Sequence, residues 1–276
     1  MIQIGEYNNL KVGRGSALGF FLVDELGEEV LLPIKYTPKP LNIGDTMEVF
    51  IYTDSEDRPI ATTQTPIAIV NSFAFLKVVD IAKFGAFLDW GLDKDLLVPI
   101  KEQAKTMVLG KYYVVYITLD NSSQRLIASS KINSFLSNEE HELKFNEEVD
   151  LVVFEEVEFG YFVIINLKHK GLIYKNEIYT KVAVGDALTG YVKQIKEGNL
   201  IDVSLQKIGF ENIDANSKYI LGVLTQQGGT LNLHDNSTPD EIQKQLNMSK
   251  KTFKKAIGIL YRQKLITISN SQIQLA

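Results

Sequence analysis

The chain has no cysteine, only three histidines and a single tryptophan among its 276 residues. Without cysteine there is no disulfide, no thiolate nucleophile and no thiolate zinc site. His141, His169 and His234 lie far apart and form no metal-ligand spacing, so the simplest histidine-based schemes of catalysis have little raw material. No run approaches the roughly 18–20 apolar residues that cross a bilayer. The first residues, MIQIGEYNNLKVGRG, lack the basic-then-apolar order of a secretory signal. A phosphate-cradling GxxxxGK[ST] loop is also missing, which argues against an NTPase. The expectation is a cytoplasmic, non-catalytic protein with no membrane partner, no cofactor and no metal.

What is present is an ordinary globular composition, 45% hydrophobic and 23% charged, in a chain long enough for two or more domains. The net charge of -5 hides an asymmetry. Residues 1–214 carry 21 Lys+Arg against 31 Asp+Glu, and residues 215–276 carry 8 against 3, giving -10 and +5. A basic tail on an acidic body is one signature of a nucleic-acid-binding segment.

A repeat is the next feature to test for, because missing one misassigns the fold. LGFFLVDELGEEVLLPIKY, KFGAFLDWG with LLVPIKE, and EFGYFVIINLKHKGLIY line up as three units of about 60 residues. Each alternates apolar and polar positions between Gly, Asp and Asn turns, which reads as four or five short antiparallel strands. Sheets so small have exposed edges unless they close, so the expected fold is three tandem small barrels followed by an α+β domain. Gly19, Gly85 and Gly160 sit inside apolar strand patterns, where the expectation is a sharp bend. Gly44, Gly110 and Gly185 recur as turn residues before the fourth strand. The expected boundaries are 1–65, 66–143, 144–210 and 211–276, with 131–145 a helix-bearing connector.

Lys83-Phe84-Gly85-Ala86-Phe87-Leu88-Asp89, then Leu97-Val98-Pro99-Ile100-Lys101-Glu102 and Arg125-Leu126-Ile127-Ala128-Ser129, resemble the S1 RNA-binding domain, an OB-fold barrel. The third unit is similar, with Phe159-Gly160-Tyr161-Phe162-Val163 and Gly171-Leu172-Ile173-Tyr174, and the first is a divergent copy. Three such barrels and a basic winged helix resemble the conserved virulence factor B (CvfB, or YitL) family of bacterial RNA-binding proteins. The resemblance implies a ligand face made of two phenylalanines, an aromatic or histidine, and an Asp and Arg near the last turn. These carry over to Phe84, Phe87, Asp120 and Arg125 in the middle unit, with Pro99 at the histidine position. In the third they carry over to Phe159, Phe162 and Tyr174, where Asn199 stands in place of the arginine. In the first only Phe21 and Arg58 remain, because Leu18 replaces the leading aromatic and Pro33 the histidine.

Unpaired bases stack on aromatic rings while cations follow the phosphates. Residues three apart fall on opposite faces of a flat strand, so Phe84 and Phe87 share a face only if Gly85 bends or bulges the chain. Charge ranks the units: residues 1–64 are net -5, 67–131 net +2 and 144–207 net -2, which makes the middle unit the expected RNA binder. Glu155, Glu156 and Glu158, like Asp93 and Asp95, read as solvated turn and strand positions rather than metal ligands.

The tail reads as three helices and a hairpin. A first helix is expected over 217–227. A second starts at Ser237-Thr238-Pro239-Asp240-Glu241, where a hydroxyl caps, proline suits the first turn and the acids complement the dipole. The third spans 250–263, with Phe253, Ala256, Ile257 and Leu260 on one face and Lys251, Lys254, Lys255 and Arg262 largely opposite. Gly258 interrupts it at a cost of about 1 kcal/mol, for which close packing is the expected reason. Then LITIS, a turn at Asn270-Ser271 and QIQLA complete a winged helix whose basic helix offers Lys250, Lys251, Lys254 and Lys255 to phosphates. The leading reading is a protein that holds single-stranded RNA across barrels and winged helix, regulating gene expression, with the ribosome or RNA-processing machinery as further partners. The other reading is a duplex-DNA-binding transcriptional regulator that uses the winged helix.

Overall fold

Alternating strands become barrels here because each unit's first strand is long enough to pair with two neighbours. The computed structural model describes residues 1–120, 122–207, 214–269 and 271–275. Strands β1 (Tyr7–Ser16), β2 (Gly19–Val23), β3 (Glu29–Pro33), β4 (Thr46–Thr53) and β5 (Pro59–Thr62) close a barrel in the order β1-β2-β3-β5-β4. The middle unit repeats the order with β6 (Phe73–Ala82), β7 (Gly85–Asp89), β8 (Leu96–Pro99), β9 (Tyr112–Leu119) and β10 (Leu126–Ser129). Its β8 and β10 lie side by side, with no ladder between them among the described residues. The third barrel closes fully with β11 (Glu148–Val157), β12 (Gly160–Ile165), β13 (His169–Tyr174), β14 (Ala187–Lys196) and β15 (Leu200–Ser204).

The bend that permits closure is not at the expected glycines. Register slips between Val12 and Arg14, Val78 and Asp80, and Val153 and Glu155, so the bulge lies on the preceding long strand, at Gly13, Val79 and Phe154. Gly19, Gly85 and Gly160 serve a different purpose. A Cβ there would lie 2.1, 2.4 and 2.2 Å from the carbonyl oxygens of Leu32, Val98 and Ile173, so only glycine lets the two strands approach. Gly44, Gly110 and Gly185 do occupy turns, at φ of 100°, 77° and 96°.

Both faces of several strands are buried, which is why their apolar runs break strict alternation. On β4, Val49 and Ile51 fill the first barrel while Phe50 and Tyr52 join the middle barrel's core, Phe50 meeting Trp90 edge-on at 5.8 Å. Ile164 of β12 points outward against Val114 of β9 and Ile132. The connector carries a single 3-10 turn, Ile132–Phe135, whose Phe135 ring stacks on Tyr116 at 4.1 Å. Asp93 is more than a turn residue. It accepts hydrogen bonds from Lys35, from Tyr36 Oη at 2.7 Å and from Gln64 Nε2 at 2.8 Å, fastening the first barrel to the second. Those three donors, the Lys35 ammonium foremost, hold its carboxyl well below the usual carboxylate range.

The second compact unit runs from Gln206 to Ala276. It contains α1 (Ala215–Gln226), β16 (Thr230–Leu231), α2 (Pro239–Leu246), α3 (Lys250–Arg262), β17 (Ile266–Ile268) and β18 (Ile273–Leu275), the strands ordered β16-β18-β17. Helix α1 begins two residues before the expected start because Asp214 caps it, accepting from Asn216 N at 3.0 Å. Thr238 and Glu241 form a capping box on α2, and Ser249 caps α3. Ile220, Leu224, Ile242, Phe253, Ile257 and Leu260 make the core. The expected boundary at 210/211 and Asn270 of the hairpin turn lie outside the described residues. No helix among the described residues is long and apolar enough to cross a membrane.

Gly258 corrects an expectation, since a Cβ placed there would meet nothing within 4 Å beyond the adjoining backbone of its own helix, and close packing is not its reason. Gly258→Ala is therefore expected to stabilise the winged helix by about 1 kcal/mol, read as a higher melting temperature. Gly85→Ala is expected to do the opposite in the same melt, because its Cβ would meet the Val98 carbonyl.

Candidate nucleic-acid interface

Phe84 does not sit on a strand at all. It occupies the two-residue turn between β6 and β7, so the strand pleat places no restriction on it, and its carbonyl accepts from Ile100 N at 3.1 Å. Its ring is 60% exposed. Phe87, on β7 between buried Ala86 and Leu88, is half-buried on the outer surface, and the two rings meet edge-to-face at 5.8 Å. The condition set by the sequence is thus met by a turn, with the bulge one strand away. Pro99, at the histidine position, closes β8 opposite Gly85.

The polar partners of this face are engaged. Asp120 accepts from Ser122 Oγ at 2.6 Å, Ser123 Oγ at 2.8 Å and Lys101 Nζ at 3.1 Å, which holds its carboxyl well below the usual range. It builds the β9–β10 turn. Arg125, at the end of that turn, reaches across to Asp57 of the first barrel.

In the third barrel Phe159 holds the equivalent turn, 54% exposed, with Tyr174 at 6.4 Å. Phe162 is half-buried beside the bulge residue Phe154 at 6.2 Å, and Lys170 Nζ lies 3.8 Å over its ring. Lys196 Nζ donates to Tyr174 Oη at 3.0 Å and pairs with Asp202 at 2.5 Å. Those bonds, Asp202 first, raise its pKa above the ordinary lysine value. Sequence reasoning found no cation for this barrel and missed both lysines. Strand alternation carries a signal for one of them, because Lys170, Leu172 and Tyr174 share a face of β13. Glu155 and Glu156 pair with Lys105 and Lys175 at 2.7 and 2.8 Å.

The first barrel has the poorest face. Phe21 is half-buried under the Arg14 guanidinium, 3.7 Å from its centroid, and Arg14 forms a two-pronged pair with Glu29 at 2.7 and 3.0 Å. Arg14 was also missed, since its partner is fifteen residues away. Arg58 folds back on Asp54 and Glu56 at 2.7 and 2.8 Å, and Leu18, 68% exposed, stands where the other barrels have phenylalanine.

On α3, Lys251, Lys254, Lys255 and Arg262 are exposed and Lys250 is half-buried. Lys254 pairs with Asp235 at 3.1 Å, and Arg262 donates to the Gly258 carbonyl at 3.1 Å. Lys250, Lys251 and Lys255 have no ion-pair partner among the described residues. The described residues hold no cluster of three or more metal-ligating side chains.

Residues 4–64 match the S1 domain family, and residues 218–275 match the CvfB-like winged helix domain. The first barrel, divergent at its ligand face, is therefore of the S1 type. The YitL protein of Bacillus subtilis (strain 168) is 30% identical over 267 residues, covering 94% of this chain and 89% of that one. Conserved virulence factor B of Staphylococcus epidermidis is 28% identical over 240 residues, covering 84% and 80%. A crystal structure of a multidomain protein with nucleic acid binding domains from Streptococcus pneumoniae shares the fold, with a TM-score of 0.50 at 22% identity over 99% of this chain and 98% of that one. Identity of this degree along nearly the whole length makes the chain a member of the CvfB/YitL family, built from S1-type barrels and a CvfB-like winged helix.

Proposed function

We propose that the chain is a non-catalytic protein that binds single-stranded RNA and regulates gene expression after transcription, in the cytoplasm. The observation that carries this reading is the Phe84–Phe87 pair, two outward rings at the rim of the barrel with the most positive charge. Flat hydrophobic rings presented to water attract unpaired bases, and every base has a π-face to offer. Duplex DNA keeps its bases stacked internally and has no use for such rings. Phe159, Phe162 and Tyr174, with Lys170 and Lys196, extend the same chemistry to the third barrel. The nucleic acid binding domains of the Streptococcus pneumoniae neighbour agree with nucleic acid as the ligand class.

In this reading residues 66–143 and 144–210 grip the strand, 1–65 braces them and 211–276 adds phosphate contacts through α3. Weak sites linked in one chain act at high effective concentration, so modest affinities combine. The ribosome and the RNA-processing machinery are the partners that would present such RNA. The competing reading, a duplex-DNA regulator, is favoured only by the unpaired lysines of α3.

Phe84→Ala with Phe87→Ala is expected to weaken binding of a short oligouridylate by about 1–3 kcal/mol per stacked base, with the melting temperature little changed. Unchanged affinity in the folded double variant would remove the middle barrel's ligand face. Lys251→Ala with Lys255→Ala is expected to reduce the slope of log K against log salt by about 1.4, the value for two phosphate contacts on a single strand. Duplex DNA binding as tightly as unstructured RNA at the same salt would favour the competing reading.

A further inference from the structure

Arg125 leaves its own barrel and ends on a carboxylate of another. That carboxylate, Asp57, stands on the β4–β5 turn, which Asp54 closes by donating its N–H to the Arg58 carbonyl at 2.9 Å. The Asp54 side chain fixes the turn from within, accepting from Glu56 N at 2.8 Å and Arg58 N at 3.0 Å. Asp57 has a φ of 62°, a left-handed conformation that aspartate and asparagine tolerate. Its Oδ2 pairs with Arg125, and its Oδ1 lies 3.9 Å from Lys94 Nζ. Lys94, in the loop after β7, also donates to the Asp54 carbonyl at 2.6 Å. One carboxylate on a stiff turn therefore sits between two cations of the middle barrel.

A guanidinium and an ammonium that share one carboxylate are donors that phosphate oxygens also take. The rest of the face points the same way. Arg125 follows the turn built by Asp120, and Lys101, another cation of this barrel, is spent on Asp120. The first barrel, at net -5, repels a nucleic-acid strand as a whole, and Asp57 is the acid of that barrel that pairs with Arg125.

We propose that Arg125 and Lys94 form a phosphodiester seat of the middle barrel, and that Asp57 of the first barrel fills this seat in the RNA-free chain as an internal competitor. The inference rests on the RNA-binding reading of the middle barrel and adds Lys94 as a contact and a regulation of that site. The side chains of Arg125 and Asp57 are 53% and 34% exposed, and an ion pair so open to water is weak. The device is thus a threshold. A lone phosphate gains little by displacing a tethered carboxylate, whereas a strand already stacked on Phe84 and Phe87 presents its phosphate at high effective concentration and displaces it.

The test is the affinity of a short oligouridylate for the full chain and for Asp57→Asn, Glu56→Gln, Arg125→Ala and the Asp57→Asn/Arg125→Ala double variant. Asparagine tolerates the backbone at position 57, so the turn is retained. Asp57→Asn is expected to tighten binding by about 1.5-fold to about fivefold at low salt. Glu56→Gln removes the same charge from the same turn but touches Arg58 instead, and is expected to leave binding unchanged. Asp57→Asn is expected to have no effect once Arg125 is alanine. A gain that survives in the Arg125→Ala background, or that Glu56→Gln reproduces, is a general charge effect and overturns the seat. No gain from Asp57→Asn, where Phe84→Ala with Phe87→Ala does weaken binding, overturns the competition and leaves the RNA reading standing. If neither the phenylalanine nor the Arg125 substitutions alter binding, the reading of the middle barrel falls and the seat with it.

Discussion

The approach of two strands at one glycine governs the candidate face of every barrel. Gly19, Gly85 and Gly160 press against the carbonyls of Leu32, Val98 and Ile173, leaving no room for a side chain. The residue before each glycine is then held in the turn by its own carbonyl, which accepts from Ile34, Ile100 or Lys175 N at 3.0, 3.1 and 3.0 Å. With the backbone fixed on the inner side, the side chain has only solvent to enter. Leu18, Phe84 and Phe159 are the most exposed large apolar residues of their strand-joining turns for this reason, at 68%, 60% and 54%. An apolar ring kept in water at a cost of unburied surface is an unusual expense for a protein, and a stacking ligand relieves it.

Electrostatics then separates the three copies. One cation in each barrel is answered by a carboxylate, Arg14 by Glu29, Arg125 by Asp57 and Lys196 by Asp202, while Lys170 lies over the Phe162 ring. The Lys196 pair includes a carboxylate that is only 7% exposed, so it belongs to the barrel's structure as much as to its surface. The Arg14 and Arg125 pairs are open to water, where an ion pair contributes little. On α3, Lys250, Lys251 and Lys255 have no ion-pair partner among the described residues, in the unit whose sequence is net +5.

Local features were legible from the sequence, and long-range ones were not. The repeat, the turn glycines, a hydroxyl cap at Ser237-Thr238 and the apolar face of α3 all depend on neighbours within a few positions. The bulges were misplaced because Gly13, Val79 and Phe154 share no residue type, so nothing local marks them. Asp93 read as a turn because its three partners are 58, 57 and 29 residues distant. Arg125 was identified, but not that an acid of another barrel holds it. Lys170 and Lys196 escaped because the expected cation was an arginine at one fixed position.

The central claim is that bases lie on the turn phenylalanines. Irradiating the full chain with a bound oligouridylate joins stacked uracils to the rings beneath them without a spacer, and mass spectrometry locates the junctions. The account predicts adducts at Phe84 and Phe87, and weaker ones at Phe159 and Phe162. Adducts confined to the winged helix, with both barrels clean, would contradict it.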